Sequence, residues 1–204
     1  NLFAFSVQAQ DKISMMGDEV ILGSDAVPSS GASSDTIAFW DNDKGAFRAG
    51  SVFSSDAWSP AKIAPFSFAS GFNNTASGFF SSAFGSANVA SGISAIAIGS
   101  ETEASGIYSL SGGTNTIASS FGSTALGQYN VSSGSANSWK DADPLFVLGN
   151  GSSDDERSNA MTVLKNGSLI LNDHELPPDS ISSQTIMFFD RANAAFRSGG
   201  YINS

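Results

Sequence analysis

Residues 65–134 read PFSFASGFNNTASG, FFSSAFGSANVASG, ISAIAIGSETEASG, IYSLSGGTNTIASS and FGSTALGQYNVSSG when the chain is broken every 14 residues from Pro65. The five rows align without a gap and bring Gly71, Gly85, Gly99, Gly113 and Gly127 into one file, and Gly78, Gly92, Gly106 and Gly134 into another. Self-similarity at a fixed period marks a stacked repeat. A row this short cannot hold a helix and a strand. It predicts instead one coil of a narrow parallel β-solenoid, hydrogen-bonded to the next row at about 4.8 Å, so that five rows rise about 24 Å. Glycine at each division supplies the φ > 0 or tight bend that a coil needs, which makes Gly71, Gly85, Gly99, Gly113 and Gly127 the expected corner residues.

The columns sharpen this reading. Two residues before each central glycine stand Ala69, Ala83, Ala97, Ser111 and Ala125, and four before it stand Ser67, Ser81, Ala95, Ser109 and Ser123. Strand side chains alternate between faces, so these small residues share one face, where two backbones pass close together. The opposite face carries Phe68, Phe84, Ile96, Ile98, Leu110 and Leu126. A roll too thin to bury both faces leaves an apolar column in need of a cover, and another copy of the chain is the simplest one.

The rows SSAFGSANVASG (81–92) and SAIAIGSETEASG (94–106) fit the unit S-x-A-x-G-x-x-x-x-A-S-G, and in this they resemble the head repeats of trimeric autotransporter adhesins (YadA-like). Row four departs from the unit at Ser111-Gly112-Gly113 and at Ser119-Ser120. The resemblance covers about a third of the chain. It implies a left-handed parallel β-roll assembled as a parallel homotrimer in a surface fibre. Handedness and the number three come from the resemblance; composition shows neither.

A second repeat has a longer period. Ser33-Ser34-Asp35-Thr36-Ile37-Ala38-Phe39-Trp40-Asp41 aligns with Ser182-Ser183-Gln184-Thr185-Ile186-Met187-Phe188-Phe189-Asp190 at an offset of 149. The same offset pairs Ile21-Leu22 with Ile170-Leu171, Pro28 with Pro177, and Ala46-Phe47-Arg48 with Ala195-Phe196-Arg197. Connector and roll thus alternate, as in a beaded fibre, and residues 162–202 are expected to repeat the fold of 13–53. The connectors read as β-hairpins: Met161–Lys165 and Ser168–Leu171 flank Asn166-Gly167, and Thr36–Trp40 and Ala46–Arg48 flank Asp41-Asn42-Asp43-Lys44-Gly45. Arg48 and Arg197 are expected to bond Asp41 and Asp190, or carbonyls of a neighbouring subunit, through the planar guanidinium fork. The run Leu145–Gly151 with Arg157–Ala160 is similar to a segment of roll-bearing surface proteins and phage-like fibres. The division is then 1–12 as a signal-peptide remnant or first strand, 13–64 as connector, 65–138 as roll, 139–161 as a Gly-Asn-Gly connector and 162–204 as a second copy of 13–55.

Composition narrows the function classes. The 204 residues carry 9 Lys and Arg against 19 Asp and Glu, a net charge of −10, so clustered cations for nucleic acid or an anionic membrane are lacking. With no cysteine, disulfides and thiolate metal sites are out of reach. No apolar run approaches a membrane span. Asn1–Ala9 resembles the tail of a secretory signal, apolar and ending in a small-x-small pattern.

Candidate chemistry is sparse. His174, the single histidine, aligns with Asp25 in the first copy and reads as a solvated loop residue rather than a general base. Asp154-Asp155-Glu156 offers oxygen ligands to a hard cation but reads as an exposed acidic tip, and Asp41–Gly45 reads as a hairpin turn rather than half of a calcium loop. The file Asn74, Asn88, Thr102, Thr116 and Asn130 is either a flat ligand face or a hydrogen-bonded ladder that fixes the turn, and the irregular neighbours Thr75, Val89, Glu103, Ile117 and Val131 favour the ladder. No catalytic, cofactor or metal motif stands out, so the chain reads as a non-enzyme without cofactor. The expected function is an extracellular, cell-surface trimeric fibre segment of a bacterial adhesin that attaches to a host or prey cell-surface molecule, with self as first partner and without nucleic-acid binding or membrane insertion. Alternatives are a phage or contractile-injection tail fibre and a homopolymeric surface filament.

Overall fold

The computed structural model describes residues 13–16, 19–23, 33–52, 57–173, 184–190 and 195–201. Residues 1–12, expected to be a signal-peptide remnant or first strand, His174, and Pro28 with Pro177 lie outside the described residues. In chain order the strands are β1 (Ile13–Met16), β2 (Glu19–Gly23), β3 (Ser33–Asp41), β4 (Ala46–Val52), β5 (Phe68–Phe72), β6 (Thr75–Ala76), β7 (Ser82–Ser86), β8 (Val89–Ala90), β9 (Ile96–Ser100), β10 (Glu103–Ala104), β11 (Leu110–Thr114), β12 (Ile117–Ala118), β13 (Thr124–Gln128), β14 (Pro144–Asn150), β15 (Asn159–Leu164), β16 (Leu169–Asp173), β17 (Gln184–Asp190) and β18 (Ala195–Tyr201). One short 3₁₀ turn, Asp154–Glu156, is the only helical element among the described residues. The protein is all-β.

A single 14-stranded sheet runs in the order β1-β2-β3-β4-β5-β7-β9-β11-β13-β14-β15-β16-β17-β18, and a second, four-stranded sheet runs β12-β10-β8-β6. Between β4 and β14 every pairing in the long sheet is parallel. The short strands β6, β8, β10 and β12 also pair in parallel. Alternating one long and one short strand, the chain winds through a parallel β-solenoid of about four turns. The expectation of five rows meets a difference at the last one: after β13, Asn130–Ser133 forms no short strand. In its place the Asn130 side chain occupies the edge of β12, accepting from Ile117 N (2.7 Å) and donating to Ile117 O (2.9 Å), and the Asn159 side chain of β15 accepts from Val131 N (2.9 Å) and donates to Val131 O (3.1 Å).

Register in the parallel sheet is fixed by small residues. Gly50, Gly71, Gly85, Gly99, Gly113, Gly127 and Gly149 stand opposite one another across seven strands. Beside them run Arg48, Ala69, Ala83, Ala97, Ser111, Ala125 and Val147. A one-residue slip would turn this buried file outward, so the pattern permits one alignment.

The antiparallel flanks repeat each other. In β3/β4, Trp40 faces Phe47, Phe39 faces Arg48 and Ile37 faces Gly50; in β17/β18, Phe189 faces Phe196, Phe188 faces Arg197 and Ile186 faces Gly199. β2/β3 and β16/β17 agree equally, Ile21 opposite Phe39 and Ile170 opposite Phe188. The outermost pairs differ by one residue: Ser14 faces Ile21, whereas Thr162, not Val163, faces Ile170. The turn accounts for the tight closure of β15/β16, because Leu164 N donates to Ser168 O (2.8 Å), Gly167 N to Leu164 O (2.9 Å), and only Gly167 takes a positive φ, of 87°.

Candidate functional site

The roll's interior is a column of side chains no larger than Asn. Ala69, Ala76, Ala83, Ala90, Ala97 and Ala104 are fully buried and form one cluster. Ser67, Ser81, Ser109 and Ser123 join them inside. Such a core gains little from apolar burial, and backbone hydrogen bonds between coils carry the order instead.

The central glycines fall inside the long strands, at the fourth of five positions, rather than between strands as expected for corners. At Gly99, with φ of 129°, an added Cβ would lie 2.0 Å from the Gly113 carbonyl oxygen. The need for glycine there is thus contact with the next coil as much as conformation. The corners are turned two residues later by Asn73, Ala87, Glu101, Asn115 and Tyr129, and at the other bend by Phe66, Phe80, Ser94, Tyr108 and Gly122, all left-handed. Their amides bond the preceding coil, as in Ala87 N to Phe72 O (2.8 Å) and Tyr108 N to Ile93 O (2.8 Å). These bonds hold ordinary residues where glycine is normally preferred.

The Asn/Thr file is a buried ladder. Asn74, Asn88, Thr102, Thr116 and Asn130 are all sealed from solvent. Asn74 Nδ2 donates to Ser70 O and Gly85 O (2.7 Å each), while Asn74 Oδ1 accepts from Asn88 N (2.9 Å). Asn88 Oδ1 in turn accepts from Thr102 N (3.0 Å) and Thr102 Oγ1 (2.7 Å). The three asparagines satisfy backbone groups at the bend, the Thr102 and Thr116 hydroxyls bond Asn88 Oδ1 and Ser111 Oγ, and the buried file presents no face to a ligand.

Each end of the roll is closed by an arginine. Arg48, fully buried, donates through Nη1 to Phe47 O (2.8 Å) and Ser67 O (3.1 Å), and through Nη2 to Ser67 Oγ (2.8 Å) and Ala76 O (3.0 Å). These are groups of its own chain, which corrects the expectation of an Asp41 bond or a neighbouring subunit's carbonyls. Burial pushes the Arg48 guanidinium down to about 10, with the charge of Asp41 working against that shift. Beneath it Phe39, Val52, Ala57, Trp58 and Ile63 form a small core, with Trp58 edge-on to Phe39 at 5.9 Å and its Nε1 donating to Asn74 O (3.0 Å). Sequence reasoning missed Trp58; a lone tryptophan in an aperiodic connector gave no spacing to read. At the other end Arg157 Nη1 donates to Asn115 O (2.8 Å) and Asn130 O (3.1 Å), and its guanidinium lies 5.7 Å from the centre of the Tyr129 ring.

The outward residues of the long strands fall into two adjacent columns rather than one. Phe68, Ile96 and Leu110 share a column with Phe47, Ser82, Thr124 and Phe146; Phe84, Ile98 and Leu126 share the other with Ala49, Ser70, Gly112 and Leu148. Phe84, Ile96, Ile98, Leu126 and Leu148 are each exposed by more than a third, Ile98 at 46 %. Phe68 bridges Phe47 and Phe84, with ring centroids 5.0 and 5.2 Å away. A second apolar surface lines the bend, where Phe66 and Phe80 stack at 5.2 Å and Phe79, Ile93 and Tyr108 are also exposed. Together they form an apolar surface of unusual extent for a chain standing alone.

Chemistry beyond this surface is thin. Asp154, Asp155 and Glu156 are exposed, and Asp154 pairs with Arg157 at 2.5 Å. Among the described residues no three His, Asp or Glu side chains converge as metal ligands, and no helix is long and apolar enough to cross a membrane. A cavity of about 10 Å³ under the last coil, walled by Ala118, Ser123, Ala125, Asn130 and Val147, has room for about one water molecule. Lys165 Nζ is buried without a hydrogen bond, 3.9 Å from Asp143 Oδ2 and 5.2 Å from the Trp139 ring centre. No protein-family model, curated protein or solved structure matches the chain.

Proposed function

We propose that this chain is a segment of an extracellular homotrimeric fibre of the trimeric autotransporter adhesin type, built on left-handed coils of 14 residues. Its work is to project from a cell surface and attach to a host or prey cell. The carrying observation is the pair of exposed apolar columns centred on Phe84, Ile96, Ile98 and Leu126. In a parallel three-fold assembly equal columns from three rolls meet about one axis and cover one another along the fibre. The pairing of Phe68 with Ser82 and of Leu110 with Thr124 supports the coil length. A structure whose interior is Ala and Ser, whose polar file is consumed by its own backbone and whose large residues point outward suits a rod that binds by its surface.

Sedimentation equilibrium tests the assembly. A single species at three times the chain mass, persisting at low micromolar concentration, is expected. A folded, stable monomer under those conditions would sink the reading.

A further inference from the structure

We infer that the outer edge of β18 is an acceptor site for one more parallel strand, the first strand of a further roll of this chain's own kind, joined after the hairpin as β5 is joined after β4. This edge does not depend on the trimer. β4 and β18 occupy equivalent places: each is the second strand of a hairpin with the same register, Phe47, Arg48 and Gly50 matching Phe196, Arg197 and Gly199. In the first copy β4 is covered on its outer edge by β5, Phe47 opposite Phe68, Arg48 opposite Ala69 and Gly50 opposite Gly71. In the second, β18 ends the 14-stranded sheet, and among the described residues no strand lies against its outer edge.

Two residues retained in β18 have a purpose only if that edge is filled. Gly50 has φ of 128°, and an added Cβ there would sit 1.9 Å from the Gly71 carbonyl oxygen. Glycine at 50 is thus required by the strand that docks on it, and the register puts Gly199 in that place. Phe47 is half-buried against the Phe68 ring at 5.0 Å, whereas Phe196 is 64 % exposed. The hydrogen bonds to be completed follow as well. Phe47 N donates to Ser67 O (3.0 Å) and Ser51 O accepts from Asn73 N (2.9 Å), which makes Phe196 N–H and Gly200 C=O the open groups of β18.

The occupant is identified by what the edge can read: an apolar residue over Phe196, Ala over Arg197 and Gly over Gly199, the pattern of Phe68-Ala69-Ser70-Gly71. A second free copy of the chain cannot supply it, since its β5 is already paired on both edges, with β4 and β7.

The test extends the chain by a copy of its own residues 56–173 placed directly after Ser204, which the offset of 149 aligns with Ser55. Amide exchange at Phe196 is read by NMR in the chain as it stands and in the extended chain. Exchange slowed roughly 100-fold or more in the extended chain alone is expected. Gly199→Val should abolish that protection in the extended chain, and a cooperative melt of the unextended Gly199→Val chain, at whatever temperature, shows that the variant folds. Fast exchange at Phe196 in the extended chain, or protection indifferent to Gly199→Val, would overturn the inference. Concentration-dependent protection in the unextended chain would overturn it too, because a second copy would then be the occupant.

Discussion

At the scale of single residues, glycine and non-glycine positions exchange the roles that spacing alone assigns them. Gly85 lies in a strand under a carbonyl, 2.1 Å from where its Cβ would be, while Ala87 turns the corner at φ of 56°. Gly85→Ala should therefore cost several kcal/mol, and the roll should relieve the clash only by opening, whereas Ala87→Gly should be neutral or stabilising by up to ~1 kcal/mol. Chemical denaturation of the two variants reads the difference, and a Gly85→Ala variant as stable as the parent would refute the close approach. Lys165 offers a second test. Burial lowers its pKa from the ordinary 10.5, with Asp143 opposing, so the folded protein sheds that proton before the unfolded chain does. A lowered cation pKa makes stability rise with pH through the folded value up to about 10.5. Lys165→Met should remove that rise and leave stability at neutral pH equal or higher, since Asp143 Oδ2 keeps the Ser135 amide at 2.8 Å. Thermal melts of both proteins from pH 8 to about 10.5 check the sign.

At the scale of elements, the coil and its inward small column were legible because they repeat. Ala69, Ala83, Ala97 and Ala125 are buried on the face that alternation assigned them. What repetition could not reveal was how the stack ends. Arg157 has no repeat to mark it, and Arg48, though matched by Arg197, carries no sign in sequence of which oxygens its fork meets. Only the fold shows that each fork gathers carbonyls at an end of the solenoid, Ser67 and Ala76 below, Asn115 and Asn130 above. The outward residues were likewise assigned to the right face but merged into one column, although counting from the glycine separates them, Phe68, Ile96 and Leu110 standing three residues before it and Phe84, Ile98 and Leu126 one. Arg48→Lys tests the lower closure. A lysine ammonium cannot reach three carbonyls in one plane, so stability should fall by about 1–3 kcal/mol although charge is conserved. Loss of protection should begin at β5 and spread upward; a uniform loss along the roll would show that Arg48 is not an end closure.

At the scale of the whole molecule, the balance of surfaces is what calls for partners. The interior is lined by Ala, Ser, Asn and Thr, so little apolar area leaves water when one roll folds, and Phe, Ile and Leu remain outside on the two strand columns. Ile98, exposed at 46 % and flanked in its column by Phe84 and by Gly112, stands near the middle of this surface. In the proposed trimer, Ile98→Asp would place three carboxylates about one axis among apolar neighbours, at a cost of several kcal/mol. In a lone chain the same change sits in water and costs almost nothing. Glu103→Ala, exposed on the short-strand side, serves as the matched control. Sedimentation of the three proteins at equal concentration is expected to give trimers for the parent and Glu103→Ala, and a dissociated, less stable Ile98→Asp. If Ile98→Asp instead sediments and melts as the parent does, that column faces solvent in the assembled state, and the axis of the fibre must lie along the bend lined by Phe66, Phe79, Phe80 and Tyr108.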